Sequence, residues 1–438
     1  MKTASCAVLL VFFLSLNPNA GIISLKDCIG KSLTSSTAVS QAAQEARKAV
    51  NDAGINGAPF YPSLELSFND TLAGYDVNGN PVNLFTFYPD NYTAALQANY
   101  NLFNMGKDSA RRSYYMKKQE EAELKLTSAK QDAAWNCIKT FYEVLKAQKS
   151  LMVSEILLKQ RQENLKLTES LYQAGIKSKS YFLDAQIQLA NSNIAVISGK
   201  NSLLSSKAAL NELLGLAPGA ETIPEDDLKF AKYEKSLDQS LSSAFNGRPD
   251  WLILAKQREE SSVSLGLAEI NLLPSVSLDA SYGLYLDKYA RDSSLWTHKG
   301  ALDQNSGWGL TLSLNYPLFD GGVNSLKADN AKLDLQVIDI QTASLKRFIN
   351  KEVYLEWYDL ERIFKSVPVY EQQVLLSKES MEITRSKYRE GTASFLELVG
   401  AEVNYSSSQI NWYQSIYDYK SQTADLMRSM GAKLYKEE

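Results

Sequence analysis

The sequence predicts a mainly α chain with a membrane β part, made of two tandem copies of one unit: strand, strand, long α-helical hairpin. Three observations predict it. The stretch YNLFNMG (Tyr100 to Gly106) recurs as YPLFDGG (Tyr316 to Gly322), and the same 216-residue shift aligns Tyr172 with Tyr388, Gly175 with Gly391, Ser178 with Ser394 and Ala185 with Ala401. Each copy carries two segments of period-two alternation. Each pair of segments is followed by a very long run that favours helix throughout.

Length and charge set the bounds. The chain has 438 residues, 45% hydrophobic and 22% charged, with a net charge of −4. It can bury a large core and shows no bias toward nucleic acid. Residues 1–20 read as a secretory signal: Lys2 before an apolar run from Ala7 to Leu16, then a small residue at Ala20. No later stretch reaches the roughly 18 uninterrupted apolar residues of a membrane helix, so any span must be β. Cys6 precedes the apolar run, which argues against a lipid-anchored cysteine.

The first repeat covers 21–247. After an opening helix, strands are expected over about 63–73 and 91–103, where Leu64, Leu66 and Phe68, then Tyr92, Ala94, Leu96, Ala98 and Tyr100, alternate with polar or small residues. The second repeat, 248–438, has its strands over about 275–285 and 307–319, with Val276, Leu278 and Ala280, then Trp308, Leu310, Leu312 and Leu314. Alternation over about 9–11 residues with aromatics at the ends is the form of a transmembrane barrel strand. A half-buried hairpin of a soluble sheet has the same pattern strand by strand. Residues 70 to 90 and 286 to 306 read as exposed loops.

Helical hairpins follow at 106–214 and 322–430. Between Gly106 and Tyr172 there is no proline or glycine, a run that as one helix extends roughly 100 Å. Seven-residue seams mark packing faces: Leu151, Leu158, Leu165 and Tyr172 outward, Phe182, Leu189, Val196 and Leu203 on the return, with Val367, Val374, Met381 and Tyr388, then Leu398, Tyr405, Trp412 and Tyr419 in the second copy. Such a period implies left-handed supercoiling of paired helices. Pro368 should kink the second long helix or mark a layer change. Residues 214–247 form a linker with Pro218, Pro224 and an acidic cluster; Pro249 suits the first turn of the next helix.

These residues together resemble the TolC-type outer-membrane efflux protein family across essentially all of the mature length. The resemblance rests on the duplicated unit, on Tyr-x-Leu-Phe-x-x-Gly ending the second strand of each half, and on Tyr-x-x-Gly-x-x-Ser followed by Ala-Gln or Ala-Glu at each hairpin tip. It implies a homotrimer in the outer membrane of a Gram-negative bacterium, in which each subunit gives four strands to a 12-stranded barrel continued by a periplasmic α-helical barrel. It further implies a periplasmic membrane-fusion adaptor at the tips and, through it, an inner-membrane pump. Physics asks for several copies independently, because four strands do not close a barrel and open edges in lipid cost several kcal/mol per unsatisfied group.

The function so implied is an exit duct for small molecules such as drugs, toxic compounds or metal ions. The outlet of a type I protein secretion system is a second reading, and a secreted coiled-coil scaffold or adhesin with a soluble β head is a third, from another class. No catalytic constellation stands out, no cofactor is called for, and His298, the only histidine, sits in an aromatic polar segment.

The candidate sites are at the tips. Tyr172, Gly175 and Ser178, with Tyr388, Gly391 and Ser394, are expected where antiparallel helices reverse, and the resemblance makes them adaptor-docking residues. It also implies a tunnel entrance closed by acidic rings and a tyrosine, with Glu397 and Tyr388 in those places. Gly400 and Ala393 stand where the best-known members carry an acidic residue and an arginine. Tyr181, with Asp184 near it, occupies the corresponding place in the first half. The expectation is a weak cation filter and a gate held more by aromatic packing than by salt bridges.

Cys28 and Cys137 remain in the mature chain. Counted along helices from Pro62 and Gly106, both reach about 45–50 Å below the strands. An oxidising compartment permits a disulfide there. Equal height does not fix facing directions, and of the two readings the sequence favours two unpaired thiols.

Overall fold

A computed structural model describes residues 22–71, 91–271, 273–287 and 303–435, with the side chains of 69–71, 91–93, 284–287 and 303–306 left aside. The expected leader, the two interstrand loops from residue 72 onward and 288 onward, and His298 lie outside the described residues. The chain is mainly helical. In order it forms β1 (Ile22–Ile23), α1 (Leu25–Ser35), α2 (Thr37–Ile55), a 3₁₀ turn at Ala58–Phe60, β2 (Ser63–Thr71), β3 (Asn91–Phe103), α3 (Lys107–Gln173), α4 (Lys179–Leu213), β4 (Ile223–Pro224), α5 (Leu237–Gly247), α6 (Pro249–Ile270), β5 (Ser275–Asp287), β6 (Asp303–Asn315), α7 (Val323–Arg389) and α8 (Phe395–Ser429).

The elements form two compact units, and each sequence repeat contributes to both. One holds Gln41–Ser128 and Pro249–Phe348; the other holds the residues up to Ser40, Ala129–Arg248 and those from Ile349 on. The repeat in sequence is thus not the packing unit. Strands of the first copy pair with strands of the second, so neither copy closes a core alone.

In the first unit, β2, β3, β5 and β6 make one antiparallel sheet in that order. Register lines up the alternation of all four strands: Leu66 pairs with Leu96, Leu96 with Tyr282 and Tyr282 with Trp308, all on one face. Glu65, Gln97, Ser281 and Gly309 fall in the adjacent layer, on the other face. The apolar face is bare in the single chain, with Phe68 75% and Trp308 81% exposed. On the polar face the Asn99 amide donates to the Asp279 carboxylate. Strands β2 and β6 each leave one edge unpaired within this sheet.

The strand expected over 307–319 runs instead over Asp303–Asn315, four residues earlier at its end. Pro317 has no N–H for the ladder and stops it. In the first copy Asn101 stands at that place, and β3 continues through a bulge between Asn101 and Phe103. The strand expected to end near 285 extends to Asp287.

Both strand-to-helix junctions use two consecutive residues at positive φ: Met105 (52°) and Gly106 (83°) before α3, Gly321 (68°) and Gly322 (85°) before α7. The chain must leave the sheet and enter a helix within a few residues, and left-handed backbone makes that turn. In the second copy the Asp320 carboxylate accepts from the N–H groups of Gly322 and Asn324, both at 2.9 Å.

The other unit is mainly helical. The long helices have 67 residues each and are shared, α3 passing to this unit after Ser128 and α7 after Phe348, whereas the return helices, 35 residues each, belong to it entirely. Helix α7 continues through Pro368, which is exposed. The linker holds more structure than its composition foretells: β4 pairs parallel with β1, and α5 opens with a Ser236–Gln239 capping box. Asp226 anchors it, accepting from the Tyr417 hydroxyl at 2.6 Å and pairing with Lys149 at 2.5 Å. Its main core gathers Phe141, Tyr142, Leu145, Leu210, Leu214 and Tyr417 around two cysteines. Among the described residues, no helix is long and apolar enough to cross a membrane.

Candidate functional site at the hairpin tips

Both hairpins reverse through the same turn. Helix α3 ends with the N–H of Ile176 on the Leu171 carbonyl (2.9 Å) and that of Gly175 on Tyr172 (2.9 Å); α7 ends with Thr392 on Lys387 (2.9 Å) and Gly391 on Tyr388 (3.1 Å). This is the Schellman arrangement, which needs left-handed backbone at the reversing residue. Gly175 has φ 73° and Gly391 φ 81°. A Cβ on either would meet open space, so only the backbone restricts substitution there.

The return helices then start differently. Ser394 and Glu397 form a capping box at α8: the Glu397 N–H donates to the Ser394 hydroxyl (3.2 Å), and the Ser394 N–H donates to the Glu397 carboxylate (2.6 Å). Ser178 caps α4 with its backbone alone. Tyr181 holds the place that Glu397 has in the second copy, so no reciprocal bond forms. Glu397 is exposed, and the Ser394 backbone N–H followed by its hydroxyl holds the carboxyl below its usual value.

The two tip tyrosines have unlike surroundings. Tyr172 is 38% exposed and stacks on Phe182, centroids 5.6 Å apart. Tyr388 is buried among Ala185, Ala393, Phe395 and Leu398, its hydroxyl 3.4 Å from that of Thr168. The Lys177 ammonium lies over Tyr181 (5.1 Å) and Tyr388 (5.8 Å). Asp184 is half-buried beside this cluster in sequence.

Just behind the aromatic cluster lies an ionic one that the sequence reading did not single out. Arg161 on α3 and Glu402 on α8 are 2% and 0% exposed, with Nη1 2.5 Å from Oε2. Asn164 donates to both carboxylate oxygens at 3.1 Å, and Arg385 on α7 reaches Oε1 at 3.1 Å. Glu402 thus ties three helices of both hairpins together. Burial pushes the Arg161 guanidinium down, Glu402 opposes that, and Arg385 adds to it. Two guanidiniums face one carboxylate, so the cluster carries a net positive charge. Within one chain the tip therefore carries a buried salt-bridge cluster beside its aromatic packing. A signal was present: Glu402 is the acidic member of the Ala-Gln/Glu pair, four residues past seam residue Leu398 and on the same helix face.

Fold and tips define a class: a four-stranded sheet with one apolar face, joined to two long helical hairpins with matched tips. The chain belongs to the outer membrane efflux protein family, whose model matches residues 28–216 and 240–432. It is an outer-membrane protein of that efflux-channel kind, with a large helical periplasmic part. Over 317 residues it is 21% identical to the outer membrane protein TolC of Vibrio cholerae, covering 72% of this chain and 71% of that one. Over 299 residues it is 23% identical to nodulation protein T of Rhizobium leguminosarum bv. trifolii, covering 67% of this chain but only 62% of that relative's length. The fold is that of the Campylobacter jejuni CmeC outer membrane channel, with a TM-score of 0.80 at 15% identity, covering 93% and 85% of the two chains. VceC of Vibrio cholerae gives 0.78 at 19% identity, covering 94% and 96%.

Proposed function

We propose that three copies of this chain form the exit duct of a tripartite efflux pump, carrying small toxic molecules out of the periplasm. One observation carries the reading: a four-stranded sheet whose register, from Leu64 to Leu66 and across to Trp308 and Leu310, puts apolar side chains on one face and polar or small ones on the other, with one unpaired edge at each end. In lipid both edges must be paired. Joining β6 of one copy to β2 of the next closes a 12-stranded barrel, with the bare apolar face toward lipid and Glu65, Asn99 and Asp279 toward the lumen. The hairpins would form a tunnel, and their tips would dock an adaptor that connects to an inner-membrane pump.

The mass of the detergent-solubilised particle, by light scattering corrected for bound detergent, tests this. Three chains are expected; one chain, or release from membranes by carbonate alone, would overturn the reading. At the tips, Gly175→Val and Gly391→Val should abolish efflux with the three-chain particle intact. Normal efflux in both would remove the docking role. The resting tip would be closed by the Tyr388 cluster and the Arg161–Glu402–Arg385 clasp, with Glu397 as a cation-attracting ring at the entrance.

A further inference from the structure

The two cysteines of the mature chain lie side by side in the helical core. Cys28 on α1 and Cys137 on α3 are both 0% exposed, with their sulfurs 2.9 Å apart across a sequence gap of 109 residues. Equal height along two helices, which is all the sequence offered, has become direct contact. A bond between them needs the sulfurs to close by about 0.9 Å, to the roughly 2.0 Å of a disulfide.

Helix α1 explains what such a bond would do. It has 11 residues, and its buried side chains are Cys28 and Ser32. A helix this short is marginal in water and depends on tertiary contacts. Its other apolar residues, Leu25, Ile29 and Leu33, are only partly buried, the first two against the core. Beyond α1 the N-terminal segment is held by the two-residue β1–β4 pairing and by the Ile23 carbonyl accepting from the Glu225 N–H at 2.9 Å. Cys28 is therefore the main anchor of a weakly buried element.

We propose that Cys28 and Cys137 are joined in the mature protein by a disulfide that staples α1 to the long helix α3. The oxidant is a protein disulfide of a periplasmic thiol–disulfide oxidoreductase, met before the core closes. One cysteine thiolate attacks the oxidant's disulfide and releases one oxidant thiolate. The second cysteine then attacks that mixed disulfide, forming the Cys28–Cys137 bond and releasing the other. Two electrons pass to the oxidant, and the two protons end on its reduced thiols. Once folded, the pair is closed to solvent on both sides, so it should resist reductant until the core is opened.

Peptide mapping of the native protein tests the bond without any variant. Trypsin cuts after Lys26, Lys31, Lys130 and Lys139, so Asp27–Lys31 and Gln131–Lys139 carry one cysteine each. In protein unfolded in alkylating agent without reductant, the two peptides should appear joined, separate on reduction, and be unalkylated beforehand. Two alkylated free peptides would overturn the bond. Its anchoring role is read by amide exchange over Leu25–Ser35, expected to speed at least tenfold in a Cys28→Ala/Cys137→Ala variant whose particle mass matches the native one. Unchanged exchange in that folded variant would overturn the staple.

Discussion

Arg161 and Glu402 close a fully buried ion pair between α3 and α8, Nη1 to Oε2 at 2.5 Å, and Arg385 of α7 completes it from the side. Breaking such a pair from one side leaves an uncompensated buried charge, at a cost of about 3–5 kcal/mol. Glu402→Ala strands two guanidiniums at once and should loosen the tip. Lower thermal stability and a raised resting conductance in planar bilayers are expected. Replacing the cluster by apolar groups, Arg161→Met with Arg385→Leu and Glu402→Leu, should recover much of the stability, because the desolvation penalty disappears with the charges. If Glu402→Ala conducts like the native channel, the clasp has no part in closing the entrance.

A second carboxylate, far from the tips in sequence, should make stability depend on pH. Glu260 on α6 is 7% exposed, and burial, then the neighbouring Glu121, pushes its carboxyl up to about 7. Burial pushes Glu121 up too, but Lys125 and Gln257 outweigh it and hold Glu121 down. Lys118 and Lys125 also face Glu260 and moderate its shift. Because the folded value of Glu260 exceeds the unfolded one, its contribution is fully present below about 4.5 and is lost as pH rises through 7. Glu260→Gln should therefore melt several degrees above native at pH 8 and within a degree or two of it at pH 5. Parallel melting curves for native and variant between those values would refute the linkage.

The sequence read well where the physics is periodic. Alternation located β3, β5 and the core of β2, because a period of two follows directly from the pleat. Glycine marked both reversals, because only left-handed backbone ends those helices. It read poorly where a single residue overrides a pattern. Tyr316, Leu318 and Phe319 continue the apolar signal of β6, but Pro317 stops the ladder before them. It also read poorly where partners lie far apart: Arg161 and Glu402 are 241 residues from each other, and no local pattern joins them. The linker looked like loop because Pro and acidic residues dominate it, while its order comes from Tyr417, Tyr419 and Lys149 on other elements.

Met105 and Gly321 occupy the same place in the two junctions, and both adopt left-handed backbone, at φ 52° and 68°. For a residue with a Cβ this conformation costs on the order of 1–2 kcal/mol. Gly321→Ala should therefore lower stability by about 1 kcal/mol, and a Cβ there meets no neighbour that would add to the cost. Met105→Gly relieves the same strain but adds roughly 0.5–1 kcal/mol of chain entropy, so it should be nearly neutral. Denaturant titration of both variants checks the pair. Equal losses in the two would show that side-chain packing, not backbone, sets the junction.

Glu397 does two things that a conservative substitution separates. Its carboxylate accepts from the Ser394 N–H and completes the capping box, and it carries a charge in an exposed position past the second tip glycine. Glutamine also serves in a capping box, so Glu397→Gln keeps the bond and removes the charge. Alanine removes both. If three such carboxylates surround the entrance, their summed negative potential attracts cations and binds multivalent ones more strongly. Glu397→Gln should then lower cation preference and relieve multivalent-cation block, with a melting temperature within a degree or two of native, whereas Glu397→Ala should show the same loss of selectivity and in addition melt lower. A glutamine variant with native selectivity would leave Glu397 a helix cap and nothing more.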